Sequence, residues 1–487
     1  MQRKGMYVDG TWRDSTGLLK LPVVNPHTEE QWGETTCAEA SDVDIAVRSA
    51  ERALHSEWAE MPLAERISIV LRIGELLQER KHELARIQTC SMGGLYKNAC
   101  FLGGSLELIG MYVESVRKIA FDYVRRDGSG NTLVSRRPVG VVAGIVPWNA
   151  PVRNEVKKTI PALLSGCTVV LKPAPETPFG AAIFAEVCTE AGLPPGVVNL
   201  VFGGPATGEE LVKHPKVRKI AFTGSSATGS RIAALASSSF KRLQLELGGK
   251  SAGILLEDAD LATSMPTLVA AAWSNSGQAC SSITRVLAPR SRYDEVVDAL
   301  VEAANAQIIG DPMDPATTMG PLVSKRQFDR VLQYIEVGRS EGARVAAGGG
   351  RPRHLDRGYY IEPTVFVDVR NDMKIAQEEI FGPVTCVIPY DTEDQAVGIA
   401  NDTVYGLHGG VYGRDEEHAL SIARRLDTGS VGINMFFVPS SAPFGGVKAS
   451  GVGREHGPEG FDSFLEFTSY NVSPALAETL AARYPSG

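Results

Sequence analysis

Between residues 139 and 246 the sequence alternates, five times over, between a short apolar run and a turn or helix-length segment. The apolar runs fall at 139–146, 168–171, 197–202, 219–222 and 242–247. Helices are predicted between them, up to about 164 and over 177–191, 207–213 and 226–237. Strands this uniformly apolar are covered on both faces, and helices between them impose right-handed crossovers on a parallel sheet. The prediction is a doubly wound, Rossmann-like α/β sheet. Such sheets bind ligands beyond the carboxyl ends of their strands, so the residues just past each run are where chemistry is expected.

The rest of the chain extends this pattern. A second α/β stretch runs from about 252 to 434, with strands expected at 251–255, 284–288, 360–366, 384–389 and 430–434. Helices are expected over 261–275, 293–308, 325–341, 393–401 and 415–427. Residues 41–118 have helical spacing, with Ser41 and Asp42 as candidate N-caps. The Arg-rich segment 119–138 alternates around Asp127-Gly128-Ser129-Gly130-Asn131 and reads as a hairpin, either an oligomer edge or a solvated loop. The tail alternates again (Phe461, Phe464, Leu465, Phe467, Tyr470), as a strand reaching another subunit would.

Composition excludes several classes. With 487 residues, 43% of them hydrophobic, the chain can bury several cores without disulfide or metal staples. Lys plus Arg number 49 against 57 Asp plus Glu, and the net charge of −8 argues against nucleic acid or an anionic membrane as partner. No apolar segment follows the basic residues at the start, and no run approaches the roughly 18 apolar residues of a membrane helix. The 7 cysteines are scattered without C-x-x-C, which fits free thiols in a reducing, cytoplasmic compartment. The 8 histidines show no metal-ligand spacing, so no metal is expected.

Two glycine-rich turns invite a phosphate test because each joins a strand to a helix N-terminus. One is Gly203-Gly204-Pro205-Ala206-Thr207-Gly208; the other is Phe222-Thr223-Gly224-Ser225-Ser226-Ala227-Thr228-Gly229. Neither is G-x-G-x-x-G and neither carries a P-loop lysine. The first reads equally as plain turn chemistry, whereas Ser225 and Ser226 of the second can cap the helix and donate hydrogen bonds. Lys172, at the end of its strand, lies on the ligand side of the sheet or is a surface lysine before Pro173.

Three segments look chemical. Pro147-Trp148-Asn149-Ala150-Pro151 ends the first strand, Glu246-Leu247-Gly248-Gly249-Lys250 ends the last, and Gly277-Gln278-Ala279-Cys280 follows a helix. Most free cysteines are inert core residues. Cys280 instead sits in a run of small and polar residues, 274–282, and is a candidate nucleophile. Asn149 can donate to an oxyanion or bond its own turn. Glu246 can serve as a general base for water or pair with Lys250 or Arg242.

With these motifs in order, followed by Glu379-Ile380-Phe381-Gly382-Pro383-Val384 and Pro443-Phe444-Gly445-Gly446-Val447-Lys448, the chain resembles the NAD(P)-dependent aldehyde dehydrogenase superfamily from Asn25-Pro26 to about Tyr470. The resemblance implies a Rossmann-like cofactor domain (1–118 and 139–250), an α/β catalytic domain (251–440) and a small β oligomerisation domain (119–138 and 461–487). It implies a homodimer, or a homotetramer built from dimers. It assigns nucleophile to Cys280, general base to Glu246, oxyanion donor to Asn149 and a supporting role to Lys158. Its cofactor contacts fall on Pro147, Trp148, Lys172, Gly224, Ser225, Leu247, Glu379 and Phe381, with Lys172 and Glu379 holding the two riboses and the Gly203–Gly208 turn near the adenine.

The implied reaction is oxidation of an aldehyde to its acid through a cysteine thiohemiacetal and a thioester. Rival readings are a semialdehyde-specific enzyme, a CoA-acylating enzyme, which would not need Glu246, and a non-catalytic protein on the same scaffold. Two departures from the family pattern stand out. Pro175 occupies the slot of a carboxylate that meets the adenine ribose in many NAD users, and Glu176 follows one position later. NAD is expected, because no extra Arg or Lys adjoins the turn in sequence, with NADP left open. Arg153, Asn154 and Lys157 replace apolar residues of the substrate tunnel; they favour an oxidised or acidic substrate unless they face solvent or pair with Glu155 and other acids. Phe436 and Phe437 add an aromatic wall, which suits aliphatic or aromatic aldehydes.

Overall fold

The computed structural model describes residues 2–3, 5–436 and 439–484. Its largest sheet has eight strands, five of them the predicted apolar runs. From one side they are Arg242–Glu246, Val217–Thr223, Val141–Ile145, Thr168–Lys172 and Val198–Leu200, all parallel. The chain therefore winds outward in one direction from Val141–Ile145 and then in the other from Val217–Thr223. The crevice between these two strands is the switch point, where a doubly wound sheet opens to a ligand. Gly451–Val452 joins one edge antiparallel, and Gly5–Val8 with Thr11–Asp14 closes the other.

A second sheet of seven strands holds the later part of the chain. The strand His408–Tyr412 lies inside it, parallel to both neighbours, and was not expected from the sequence. Its Gly409-Gly410 pair removes the β-branched run that normally marks a strand. The tyrosine ring of Tyr412 covers Gly410, where a Cβ would stand 3.0 Å from it. The expected strand at 360–366 shortens to Thr364–Val367, because Pro363 breaks the ladder and the Tyr360 hydroxyl instead donates to the Gly310 carbonyl at 3.0 Å.

One further expectation is corrected, and the tail gains a place in the fold. The first helix, Ala40–Leu54, is capped by Glu39 rather than Ser41 or Asp42. Asp42 sits at the third helical position, where its carboxylate accepts from the Glu39 N–H at 3.0 Å, half of a capping box. The tail strand Leu465–Val472 pairs within its own chain, residue by residue, against Gly130–Pro138, which also pairs with Asp122–Asp127 in the predicted hairpin. The ladder is satisfied on one side at home, and the other side remains an edge.

The helix Pro151–Leu164 ties this frame to the site. It begins just past the first strand, with Pro151 at its first position, where a missing N–H costs nothing. Nearly all its residues are buried, packed between the sheet and the helices Leu63–Glu79, Ser105–Val116 and Pro178–Glu190. Charged residues on such a helix must be paired, neutral or functional.

Candidate active site

The three chemical segments converge on one cavity of about 830 Å³, lined among others by Asn149, Glu246 and Cys280. Asn149 and Glu246 arrive from strand ends of the first sheet, as parallel topology requires. Cys280 arrives by a strained path. Asn275 and Ser276 hold left-handed backbone (φ 53° and 57°), followed by Gly277 at 71°. A Cβ on Gly277 would stand 2.2 Å from the Gly382 carbonyl oxygen, so only glycine fits that approach. Non-glycine residues in this conformation cost energy and persist where the surroundings over-determine them.

The surroundings here are a small amide network. Asn149 Nδ2 donates to the Gln278 carbonyl at 3.0 Å, two residues before the thiol, and not to its own turn. Asn275 Nδ2 donates to the carbonyls of Asn149 (3.1 Å) and Gln278 (3.2 Å). Gln278 Oε1 in turn accepts from the Val323 N–H at 3.0 Å. The amide of Asn149 is thereby oriented by one of its two N–H groups, and the other is not consumed by this network.

Electrostatics separate the ionisable groups. Burial pushes the Cys280 thiol up to about 12, with Glu246 and Glu379 adding and Lys157 opposing, so the ligand-free thiol is protonated at neutral pH. Glu246 is 2% exposed, and neither carboxylate oxygen has a hydrogen-bond partner among the described residues. Its alternative partners are engaged or unpaired elsewhere: Arg242 bonds Glu466 at 2.7 Å, and Lys250 Nζ is itself without a hydrogen bond. Burial first, and the charge of Glu455 second, raise the Glu246 carboxyl well above the usual range. Glu455 behaves oppositely: Lys157 Nζ lies 3.0 Å from it, Lys158 also pairs with it, and the two cations hold it ionised against its burial. Lys158 is not among the residues that line the cavity, whereas Lys157, which shares Glu455 with it, is.

The expected cofactor residues lie around the switch point and its neighbouring strand ends. Gly224 and Ser225 follow Val217–Thr223, and Ser225 Oγ accepts from the Thr228 N–H at 3.3 Å, capping the helix Ser226–Ser237. Trp148 packs edge-to-face on Phe381, ring centroids 5.3 Å apart. Lys172 Nζ, buried, donates to the carbonyls of Pro173 (2.9 Å) and Gly203 (2.8 Å), which binds the first glycine turn to the strand end. Glu379 accepts from the Gly249 N–H at 3.1 Å, beside Leu247, and burial raises its carboxyl to about 7. A helix N-terminus, an aromatic pair, a lysine and a carboxylate along one crevice form a donor set suited to a dinucleotide. Glu176, after Pro175, lies 3.6 Å from Arg326, a cation brought to this turn by a distant helix.

Arg153, Asn154 and Lys157 all line the cavity; Asn154 and Lys157 are buried and Arg153 is half-buried. Their pairing with Glu155 does not occur, both oxygens of Glu155 being buried and unpartnered among the described residues, but Lys157 does pair with another acid, Glu455. Phe436 lines the cavity, whereas Phe437 lies outside the described residues. Sequence reasoning missed Glu455, Asn275 and His456. Asn275 stood inside the run already singled out around Cys280. Nothing local marks Glu455, whose partners are almost three hundred positions away.

Similarity to known proteins follows the same lines. A sequence model of the aldehyde dehydrogenase family matches residues 12–470. The chain is 44% identical over 468 residues to a geranial dehydrogenase of Castellaniella defragrans, covering 95% of this chain and 98% of the relative. It is 40% identical over 477 residues to the chloroplastic betaine aldehyde dehydrogenase of Atriplex hortensis, covering 94% of each. A solved Mycobacterium tuberculosis aldehyde dehydrogenase, complexed with NAD+, superposes with a TM-score of 0.95 at 44% identity, over 97% of this chain and 98% of that one. An aldehyde dehydrogenase variant of Pseudomonas syringae, complexed with NAD+ and octanal, superposes at 0.94 with 41% identity over 97% of each.

Proposed function

Because this chain belongs to the aldehyde dehydrogenase family, we propose that it oxidises an aldehyde to the carboxylic acid with Cys280 as nucleophile, Asn149 as oxyanion donor and Glu246 as base. The observation that carries the assignment is the meeting of these three side chains on one cavity. The thiol passes its proton to water in the cavity and so to solvent, and the sulfur bonds the carbonyl carbon, sending the π pair onto oxygen. The uncommitted N–H of Asn149 stabilises that charge; removing one such donor typically costs about 10²–10³ in turnover. Hydride departs and a thioester remains on Cys280. Glu246 then takes a proton from water, hydroxide adds to the thioester, and the thiolate leaves with the acid released. A carboxyl whose affinity for protons is raised by burial suits this step, since a base works best near the operating pH.

NAD+, when bound, supplies the hydride acceptor. Trp148, Lys172, Gly224, Ser225, Glu379 and Phe381 are the residues we assign to hold it, with Pro147, Pro175, Glu176 and Leu247 alongside. The NAD+ in the related structures supports this choice. Residues 1–118 and 139–250 serve the cofactor, 251–440 the chemistry, and 119–138 with 461–487 the contact in a homodimer or homotetramer. The edge strand Leu465–Val472 supports that contact, with Phe467 (56%) and Tyr470 (41%) exposed. The free cysteines suit a reducing cytoplasm. Among the described residues, no helix is long and apolar enough to cross a membrane. The unpaired Glu246 favours hydrolysis over CoA acylation.

The test is Cys280→Ser assayed for NADH with several aldehydes. The expected result is no NADH, neither in a first turnover nor in steady state. Activity within tenfold of the parent would remove the assignment.

A further inference from the structure

The wall of the cavity formed by the helix Pro151–Leu164 carries more positive charge than the protein neutralises. Lys157 is 9% exposed and shares a single anion, Glu455, with the fully buried Lys158. Lys157 Nζ also stands 4.9 Å above the ring of Phe444, a second cavity residue. Arg153, four residues before it and so on the same face, donates to the Gly103 carbonyl at 2.5 Å, which accounts for one of its five N–H groups. The nearest acids to Arg153 are Glu455, already doubly engaged, and the exposed Glu107, whose charge water screens. Counting Glu246 as ionised, as its role as base requires, still leaves three cations, Arg153, Lys157 and Lys158, against two carboxylates, and Glu246 hydrogen-bonds none of them.

His456 adds a second, independent sign. It is 3% exposed, lines the same cavity, and neither ring nitrogen has a hydrogen-bond partner among the described residues. Its ring lies between Phe444 and Tyr112, with centroids 5.6 Å and 6.4 Å away. Buried polar groups without partners are uncommon, and one that faces a cavity is a site for a ligand atom. Two cations and an unspent imidazole on one wall ask for an anion with several acceptor oxygens. Trp273, Val269 and Phe436 give the lining apolar patches that suit a short hydrocarbon body, among polar residues such as Asn98, Gln307 and Thr318.

Resting on the assignment of Cys280 above, we infer that the substrate is an oxo acid: an aldehyde at one end, a carboxylate at the other, with the carboxylate taken by Arg153, Lys157 and His456. The acid stays intact while the aldehyde reacts, and the product is a dicarboxylate. The same wall disfavours a cationic aldehyde such as the one in the name of the Atriplex relative.

The experiment compares kcat/KM, with NAD+, for succinic semialdehyde against butanal, glutaric semialdehyde against pentanal, and betaine aldehyde as the cationic probe. A charge-assisted contact supports a preference of about 10–100-fold for each oxo acid over its neutral counterpart. Betaine aldehyde is expected to be poorest, and the preference to shrink as salt is raised. Arg153→Met should cut the preference at least threefold through KM for the oxo acid, with Arg153→Lys restoring part of it. Should the variants fail to fold, the charge series and its salt dependence on the parent enzyme still decide. Equal constants across the series, or preference for a neutral or cationic aldehyde, would overturn the inference. If no aldehyde yields NADH and none protects Cys280 from alkylation, the reading beneath it fails as well.

Discussion

Glu246 lines the cavity, Glu455 pairs with two lysines of the helix beside it, and the two are almost equally buried, at 2% and 1% exposure. Their charge states are nevertheless opposed. On the wall with Cys280, Glu246 has no hydrogen-bond partner, and desolvation drives it toward the protonated form. On the helix wall, two lysines hold Glu455 ionised. Burial sets the cost of a charge, but the company the group keeps decides whether that charge persists. The unpaired carboxyl is free to move protons, and the paired one is committed to positioning cations.

Breaking the first wall should produce the largest effect. Glu246→Gln preserves shape but cannot take a proton from water. Steady turnover is expected to fall by about 10²–10⁴, while a stoichiometric burst of NADH survives in stopped-flow traces. Loss of the burst with hydrolysis intact would reverse the division of labour between Glu246 and Cys280.

Breaking the second wall should act on both. Glu455→Gln leaves Lys157 and Lys158 without their anion, and losing one partner of a buried pair typically costs about 3–5 kcal/mol, readable as a drop in urea midpoint. The anion that raises the proton affinity of Glu246 also disappears, while the two cations that lower it remain. The acidic limb of the pH–rate profile should therefore move to lower pH. An unmoved limb would show that the two walls are electrostatically independent.

Glu155 sharpens the comparison, being buried on the same helix, without a hydrogen-bond partner among the described residues and outside the lining of this cavity. Burial raises its carboxyl from 4.5 to about 8. The folded state therefore binds a proton that the unfolded state releases across that window. Stability is full below 4.5 and falls by about 1.4 kcal/mol per pH unit on rising through the window. Glu155→Gln should remove this slope, so its advantage in Tm over the parent grows between pH 5 and pH 8. A constant difference would mean that Glu155 finds a proton donor or a water in solution.

Much of the architecture follows from local pattern. Five apolar runs separated by turns and helices admitted little except a doubly wound sheet, and the ends of those strands pointed to Asn149, Glu246, Lys172 and Ser225. The strand His408–Tyr412 escaped because glycine carries no side-chain pattern, and its membership of the sheet is decided by the strands on either side. Ser41 and Asp42 looked like caps because a carboxylate or hydroxyl near a helix start is a good one; which position it takes depends on where the chain enters.

What the sequence by itself determined about this protein is the fold class, the order of its motifs and the candidate nucleophile, because strand and helix periods, turn chemistry and a polar setting around one cysteine are encoded within a few neighbouring residues. Only the tertiary structure decided that Glu246 stands unpaired, that Glu455 gathers two lysines, and that Arg153, Lys157 and His456 share one wall. Pairing and desolvation depend on atoms brought together from remote parts of the chain, and these interactions, unlike propensities, leave no trace in the spacing of residues.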